Sequence, residues 1–297
     1  MKSELSNGAT RRALVPWLFL LPAIALFVTF KFVPMVKGLE MSFYQVNFGS
    51  DWQWVGFDNF VRALTDSDLH DAVAHTACYV VVSVLLSAVL AFALALLLEG
   101  PARHLRIIRT AVFLPAVTSA AVVAQIWQIL LAPTPLGAGN VILGWLGIGA
   151  QGFFSDPNQS LGSLIAMQVW KTAPYDMMIF VAGLTGVNTE LYEAASIDGA
   201  GWFHRLRYVT LPAMRHTFVI VAVLGFIRGV RVFTEVYSST GGGPGGSTEV
   251  VMTYVYKTGF VQFDYGYAAA VSCLLFLFTA LTTIGYMGMR KRSKRHG

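Results

Sequence analysis

The chain has 297 residues, 55% of them apolar and only 12% charged, with a mean hydropathy of +0.60. That is too little charge to cover the water-facing surface of a soluble domain. The net charge of +5 comes from basic residues dispersed among long apolar runs, which excludes a nucleic-acid partner as the reading of that charge. Cys78 and Cys273 both fall inside apolar runs, where a thiol behaves as a small hydrophobe rather than half of a disulfide.

Six apolar runs, at about 13–36, 73–98, 110–132, 161–187, 218–238 and 267–289, are each long enough to cross a hydrocarbon core of about 30 Å as a helix. Backbone polar groups in lipid must be satisfied internally, and these runs lack the alternation of barrel strands. The sequence therefore predicts an all-α, polytopic membrane helical bundle with six transmembrane helices. It places a tail at 1–12, the membrane domain at 13–289 and a basic tail at 290–297. Ala23-Ile24-Ala25 resembles a signal-peptidase site, but the apolar run continues past it to Val36, which favours a retained helix.

Lysine and arginine set the orientation. Lys2, Arg11 and Arg12 precede the first run, Arg103, Arg106 and Arg109 follow the second, and Arg205, Arg207 and Arg215 follow the fourth. Arg290, Lys291, Arg292, Lys294 and Arg295 close the chain, while the alternate connections hold only Lys37, Arg62 and Lys257. Both termini are thus expected in the cytoplasm of a bacterial cell, with the protein in its plasma (inner) membrane. The first outer connection mixes acids with Trp52, Trp54, Phe57 and Phe60, as suits an ordered loop with short interfacial helices or a docking surface.

The cytoplasmic connection at 189–212 carries the most information. Thr189 stands where a helix cap belongs, Glu190 and Glu193 lie in the first turns, and Gly199 offers the permissive backbone that ends a helix. A second helix is expected from about Gly201 to Tyr208, with Pro212 marking re-entry into the membrane. Ala194 and Ala195 let another backbone approach closely, and Glu193 beside them fixes orientation, so the loop is shaped to plug into a soluble protein.

Glu193-Ala194-Ala195, then Asp198-Gly199-Ala200 and Leu211-Pro212, resembles the EAA loop of binding-protein-dependent ABC transporter permeases. Leu21-Pro22, Val55 to Phe60, Phe113-Leu114-Pro115, Val169-Trp170-Lys171 and Thr240 to Pro244 extend the likeness over nearly the whole chain, towards the sugar-type permeases of maltose-type importers. Val209, Leu206 and His216 depart from that pattern. The resemblance implies the type I permease fold of ABC importers. It also implies a second permease subunit, two cytoplasmic ATP-binding subunits that hold the ATP and magnesium, an extracytoplasmic solute-binding protein, and a chain that is not itself an enzyme. Glu193, Ala194, Ala195, Asp198 and Gly199 would then be the contacts that couple to the ATPase.

Ionisable residues inside membrane spans are costly unless paired or wetted, which singles out Lys171, Asp176, Arg228, Arg231 and Glu235. Spacings of three and four put Arg228, Arg231 and Glu235 on one face of one helix. Pro174 separates Lys171 from Asp176, so their partners are expected on neighbouring helices or across a kink. Two readings stand side by side. In one, Arg228 or Arg231 pairs with Glu235 and the charges hold helices in register. In the other, they line a substrate path with Gln168, Tyr175 and Tyr237, and with Gln125 and Gln128 nearby, for a sugar or polyol; glycerol 3-phosphate or a glycerophosphodiester is the alternative. A secondary transporter with an ion site at Asp176 or Glu235 is the rival class; it predicts paired interrupted helices in two matching halves, a pattern that Pro174 alone does not supply. Gly241 to Thr248 approaches a phosphate-binding loop, but Ser247 stands where its lysine belongs. The histidines lack metal-site spacing.

Overall fold

A computed structural model describes residues 16–17, 19–47, 49 and 51–293, with side chains described as far as residue 285. The basic residues Lys2, Arg11, Arg12, Lys294 and Arg295 lie outside the described residues, as do the side chains of Arg290, Lys291 and Arg292. The chain divides into two compact units, Met1–Asp66 with Val255–Gly297, and Ser67–Tyr254.

The first unit contains α1 (Phe19–Met41), a short hairpin of β1 (Tyr44–Gln45) and β2 (Gln53–Trp54), and α2 (Asp58–Thr65). Its last helix, numbered α12 in chain order, is Tyr265–Ser293. The hairpin, with an isolated antiparallel bridge between Asn47 and Asp264, departs from an all-helical chain; Tyr44 pairs with Trp54 in antiparallel register. Phe43 stacks on Trp54 and meets Phe57 edge to face. Asn59 is buried under this cluster and donates to the carbonyls of Ser42 and Tyr44, each at 3.0 Å. Arg62 pairs with Asp264 at 2.6 Å and lies 3.9 Å from the centre of the Tyr267 ring.

The most apolar window of α1 buries nothing, and Phe19 and Phe30 remain 82% and 76% exposed. A helix apolar all round and uncovered by its own chain needs a non-aqueous surrounding. A π turn at Val28–Phe32 interrupts it, with the Val33 amide reaching back to the carbonyl of Val28, two residues before the ring of Pro34. The same device recurs at Leu206–Thr210, ahead of Pro212. Proline cannot donate to the carbonyl four residues back and its ring crowds it, so widening the preceding turn lets the helix run on.

The second unit is built on three helices: α3 (Ser67–Leu98), α7 (Ser160–Leu184) and α9 (Trp202–Val230). Between them come α4 (Arg103–Val117), α5 (Ala120–Leu130), α6 (Ala138–Trp145) and α8 (Thr189–Ile197). After them come α10 (Thr234–Ser239) and α11 (Val251–Tyr256), where the chain passes to the other unit. The core gathers Ala91, Ala95, Ala173, Met177, Phe180 and Val221, with Phe92, Phe180 and Phe218 in mutual ring contact.

Close approach of α9 to α3 depends on glycine. A Cβ at Gly225 would lie 3.0 Å from Val84 and one at Gly229 would lie 2.9 Å from Val80. Gly225 and Gly229 form a small-x3-small pair, the spacing that lets helix backbones approach in lipid. Gly183 on α7 is equally confined, where a Cβ would meet Thr217 and Met214.

Three expectations are met only in part. Among the described residues, four helices are long and apolar enough to cross a membrane, five if the bent pair α4 and α5 counts as one. The run at 161–187 folds as α7, an uninterrupted helix through Pro174, but its Gln168, Lys171 and Asp176 lower its hydropathy. Secondly, the third run is not straight: α4 and α5 meet at 97°, because Thr118 and Ser119 are extended and Thr118 Oγ1 satisfies the carbonyl of Leu114 at 2.9 Å. Thirdly, the fifth run breaks after Val230 and restarts at Thr234.

Candidate functional site

The break after α9 positions the charged residues. Arg231 caps the helix outside helical geometry (φ −102°, ψ 16°), and Phe233 is extended in φ before α10 begins. Arg228 and Glu235 therefore sit on two different helices, not on one face of one. Neither arginine pairs with Glu235. Instead Lys171 Nζ donates to Glu235 Oε1 at 2.7 Å, and Arg228 Nη2 donates to Asp176 Oδ1 at 2.5 Å. Both pairs cross from α7 to a neighbouring segment, so each ties α7 to one side of the break.

The Asp176 carboxylate is nearly fully buried and accepts a second bond from Ser87 Oγ at 3.0 Å, while Ser87 also meets Thr172 at 3.1 Å. The Arg228 guanidinium lies 5.1 Å from the centre of the Tyr175 ring, an arrangement that holds the cation over an aromatic face. Two buried polar atoms here, Gln168 Oε1 and Arg228 Nε, have no protein partner. Their residues line one small void together with Ser83, Ser87, Thr172 and Asp176, where an acceptor and a donor together suit a bridging water.

Beside this network is a cavity of about 650 Å³. Gln168, Lys171, Tyr175, Arg228, Arg231 and Glu235 all line it, together with Ala116 from the arm before the 97° bend. Six of the seven substrate-path candidates are thus brought together. Tyr237 is not among the lining residues; it is stacked on Phe233. Gln128 donates its amide to the carbonyl of Ser239, and Gln125 is exposed. Non-helical backbone at membrane depth is tolerated where it borders a cavity, and both interrupted helices, α4 with α5 and α9 with α10, contribute to this one. Reading the residues missed these interruptions. It also missed Ser83, Ser87, Gly225 and Gly229, for which the signals were the four-residue spacings on α3 and α9.

The loop that the sequence singled out forms α8, a turn and the start of α9. The cap is Asn188 rather than Thr189: its side chain accepts from the Glu190 amide at 3.0 Å. Gly199 ends the helix at φ +74°, and Ala200 returns its amide to Ala195 at 2.9 Å. The segment after the turn is not a separate surface helix, because Trp202–Val230 is one continuous helix through Pro212. Two bonds brace the knuckle: Tyr192 Oη with Thr210 Oγ1 at 3.0 Å, and Arg205 Nη1 to Ser196 Oγ at 3.2 Å.

Glu193, Ala194, Asp198 and Gly199 are exposed and Ala195 is half-buried. The carboxylates of Glu193 and Asp198 have no partner among the described residues, and Ile197 is 87% exposed beside them. A second cavity, of about 640 Å³, lies under the knuckle between Leu97, Leu184, Tyr192, Trp202 and Arg205.

Gly241 to Thr248 is a turn stitched by its own side chains. Thr248 Oγ1 donates to the carbonyl of Gly243 and meets Thr240 Oγ1, both at 2.7 Å, and Ser247 Oγ meets Ser160 Oγ on α7 at 2.8 Å. Gly241, Gly242, Gly245 and Gly246 all have positive φ, which explains the glycines without a phosphate. Among the described residues no cluster of ligating side chains could hold a metal ion.

Residues 5–295 match the family model described as "Binding-protein-dependent transport system inner membrane component". The trehalose/maltose transport system permease protein MalF of Thermococcus litoralis is 30% identical over 278 residues, covering 93% of this chain and 94% of that one. The sn-glycerol-3-phosphate transport system permease protein UgpA of Agrobacterium fabrum is 31% identical over 282 residues, covering 94% and 96%. Among solved structures, a chain of a bacterial ABC transporter involved in the import of the acidic polysaccharide alginate superposes with a TM-score of 0.83 at 26% identity, covering 97% and 99% of the two chains. A bacterial alginate ABC transporter in complex with an alginate pentasaccharide-bound periplasmic protein gives 0.83 and 26%, covering 96% of each chain.

Proposed function

Because this chain belongs to the family of binding-protein-dependent transport system inner membrane components, we propose that it is a permease subunit of an ATP-driven importer and forms part of the path for a sugar or related polyol. The carrying observation is the cavity of about 650 Å³ bordered by two interrupted helices, with the Lys171–Glu235 pair and Arg228 on its wall. Amide, tyrosine and charged groups around a water-accessible space can replace the hydration of a polyhydroxylated solute during passage.

The chain crosses the membrane six times in this reading, with α7 as the crossing whose polar groups turn inward. Its domain is 13–289 between cytoplasmic tails at 1–12 and 290–297. The ends of α3 and α7 and the start of α9 meet around one cavity, which supports a common cytoplasmic side for Arg103, Arg106, Arg205 and Arg207. At that side the α8 knuckle, through Glu193, Ala194, Ala195, Asp198 and Gly199, plugs into an ATPase subunit. Two such subunits hold ATP and magnesium, a second permease completes the path, and a solute-binding protein delivers from outside. Nucleotide binding favours one orientation of the helices and hydrolysis releases it, so the path opens to each side in turn.

Reconstitution with its partner subunits in proteoliposomes tests this. ATP-dependent accumulation that survives collapse of ion gradients is expected. Accumulation that tracks the ion gradient with ATP still present refutes it in favour of a secondary transporter.

A further inference from the structure

The cavity walls carry three cations, Lys171, Arg228 and Arg231, and one anion, Glu235. Lys171 is neutralised by Glu235, and Arg228 by Asp176 behind the wall. Arg231 remains. It is exposed and makes no hydrogen bond or ion pair with any described residue.

Its place beside the two ion pairs makes this meaningful. Lys171 lies 13 residues before Leu184, the last residue of α7, which is about 20 Å along a helix. Arg231 comes after Arg228 and before Glu235 in the chain, so it is bracketed by the two ion pairs that anchor to the middle of α7. In the six-crossing reading Arg231 lies within the membrane, where an unpaired cation is costly and almost always marks an ion or substrate pathway. The neighbouring cations have already found carboxylates of this chain.

We propose that Arg231 is the receptor for a single anionic group on the transported solute, so that the substrate is an acidic sugar or polyol bearing one carboxylate or phosphate. This rests on the reading of the chain as a permease. A guanidinium presents a planar fork of donors that matches a carboxylate or phosphate through two parallel bonds. Tyr175, on the same wall, supplies a ring face for the apolar side of the solute, and Gln168 supplies an amide for its hydroxyls. The paired charges do not compete for the anion, because each arginine or lysine other than Arg231 is held by its own carboxylate.

The test uses the full complex in proteoliposomes with three probes: sn-glycerol 3-phosphate, digalacturonate and maltose. The expected result is ATP-driven uptake of an anionic probe, with Arg231→Gln raising its half-saturating concentration about tenfold or more. Arg231→Lys keeps the charge without the fork and gives a smaller shift. Which anion is taken up separates phosphate from carboxylate. Uptake of maltose alone, or uptake of an anion that Arg231→Gln leaves unchanged, overturns the proposal while the permease reading stands. No ATP-driven uptake of either anionic probe overturns the proposal, and accumulation that tracks an ion gradient instead of ATP overturns the permease reading as well. Size-exclusion profiles of the variants show whether the complex still assembles.

Discussion

Arg228 Nη2 lies 2.5 Å from Asp176 Oδ1, joining α9 to α7 across 52 positions of sequence, and the carboxylate end of the pair is almost wholly out of solvent. The bond to Ser87 fixes the second oxygen, so α3, α7 and α9 share one buried charge. Removing one partner of such a pair strands the other, which costs about 3–5 kcal/mol, whereas replacing both by apolar groups of similar volume is often neutral. Asp176→Leu alone is therefore expected to lower the melting temperature of the detergent-purified protein sharply. The double variant Asp176→Leu with Arg228→Met should recover most of the loss. Equal loss in the single and double variants would show that the pair does not carry the coupling between these helices.

Lys171 and Glu235 form the second tie, on the other side of the helix break, at 2.7 Å and with both side chains largely buried. Because α10 is only Thr234–Ser239, this pair and the bond from Gln128 to Ser239 help fasten it to its neighbours. Charge reversal at one end, Lys171→Glu or Glu235→Lys, is expected to abolish uptake. The exchanged pair should restore it at least in part, measured as ATP-driven accumulation in proteoliposomes. A swap no better than either single reversal would mean that the individual groups, not their pairing, matter.

Hydropathy located the ends of α3 and α7 and the start of α12 within a few residues, because apolar runs of membrane length have no other stable solution. It is blind to backbone geometry, so the 97° bend at Thr118–Ser119 and the break at Arg231 escaped it. Helical spacing then put Glu235 beside the arginines, a conclusion valid only on a continuous helix. The partners that replaced this one, Lys171 and Asp176, come from α7, 64 and 52 residues away, where spacing carries no information. The knuckle was legible since its cap, glycine and small residues act locally; the cap moved by one residue to Asn188. Pro212 read as the mark of re-entry into the membrane after a separate helix, whereas the helix runs on through it, because the π turn at Leu206–Thr210 absorbs it.

Gly229 packs its Cα face against Val80, and the Cβ of any other residue would come within 2.9 Å of the valine methyl. Gly225 repeats the contact one turn earlier against Val84. Overpacking costs about 1–3 kcal/mol, and here it would also shift Arg228, which lies between the two glycines. Gly225→Leu and Gly229→Leu are expected to lower both thermal stability and uptake, while Gly285→Leu, with open space at its Cβ, should do neither. A Gly229→Leu protein with wild-type melting temperature would mean that α3 and α9 have room to separate.

Gly199 separates the effect of backbone from that of contact. At φ +74° it has nothing within 4 Å of its Cβ position, so Gly199→Ala meets no obstacle and bears only the left-handed strain of about 1–2 kcal/mol. That substitution should slow coupling modestly. Gly199→Pro cannot adopt positive φ and would reorient α8 relative to α9. Glu193→Lys leaves the fold alone, since the side chain is exposed and unpartnered among the described residues, and reverses the charge offered to the ATPase. In the assembled complex both changes are expected to abolish the stimulation of ATP hydrolysis by the loaded solute-binding protein, with basal hydrolysis by the ATPase subunits remaining. The two variants act through different physics, one through the angle of the knuckle and one through its surface. Survival of stimulation in both would mean that force reaches α9 by another route, and survival in Glu193→Lys alone would assign the coupling to shape rather than charge.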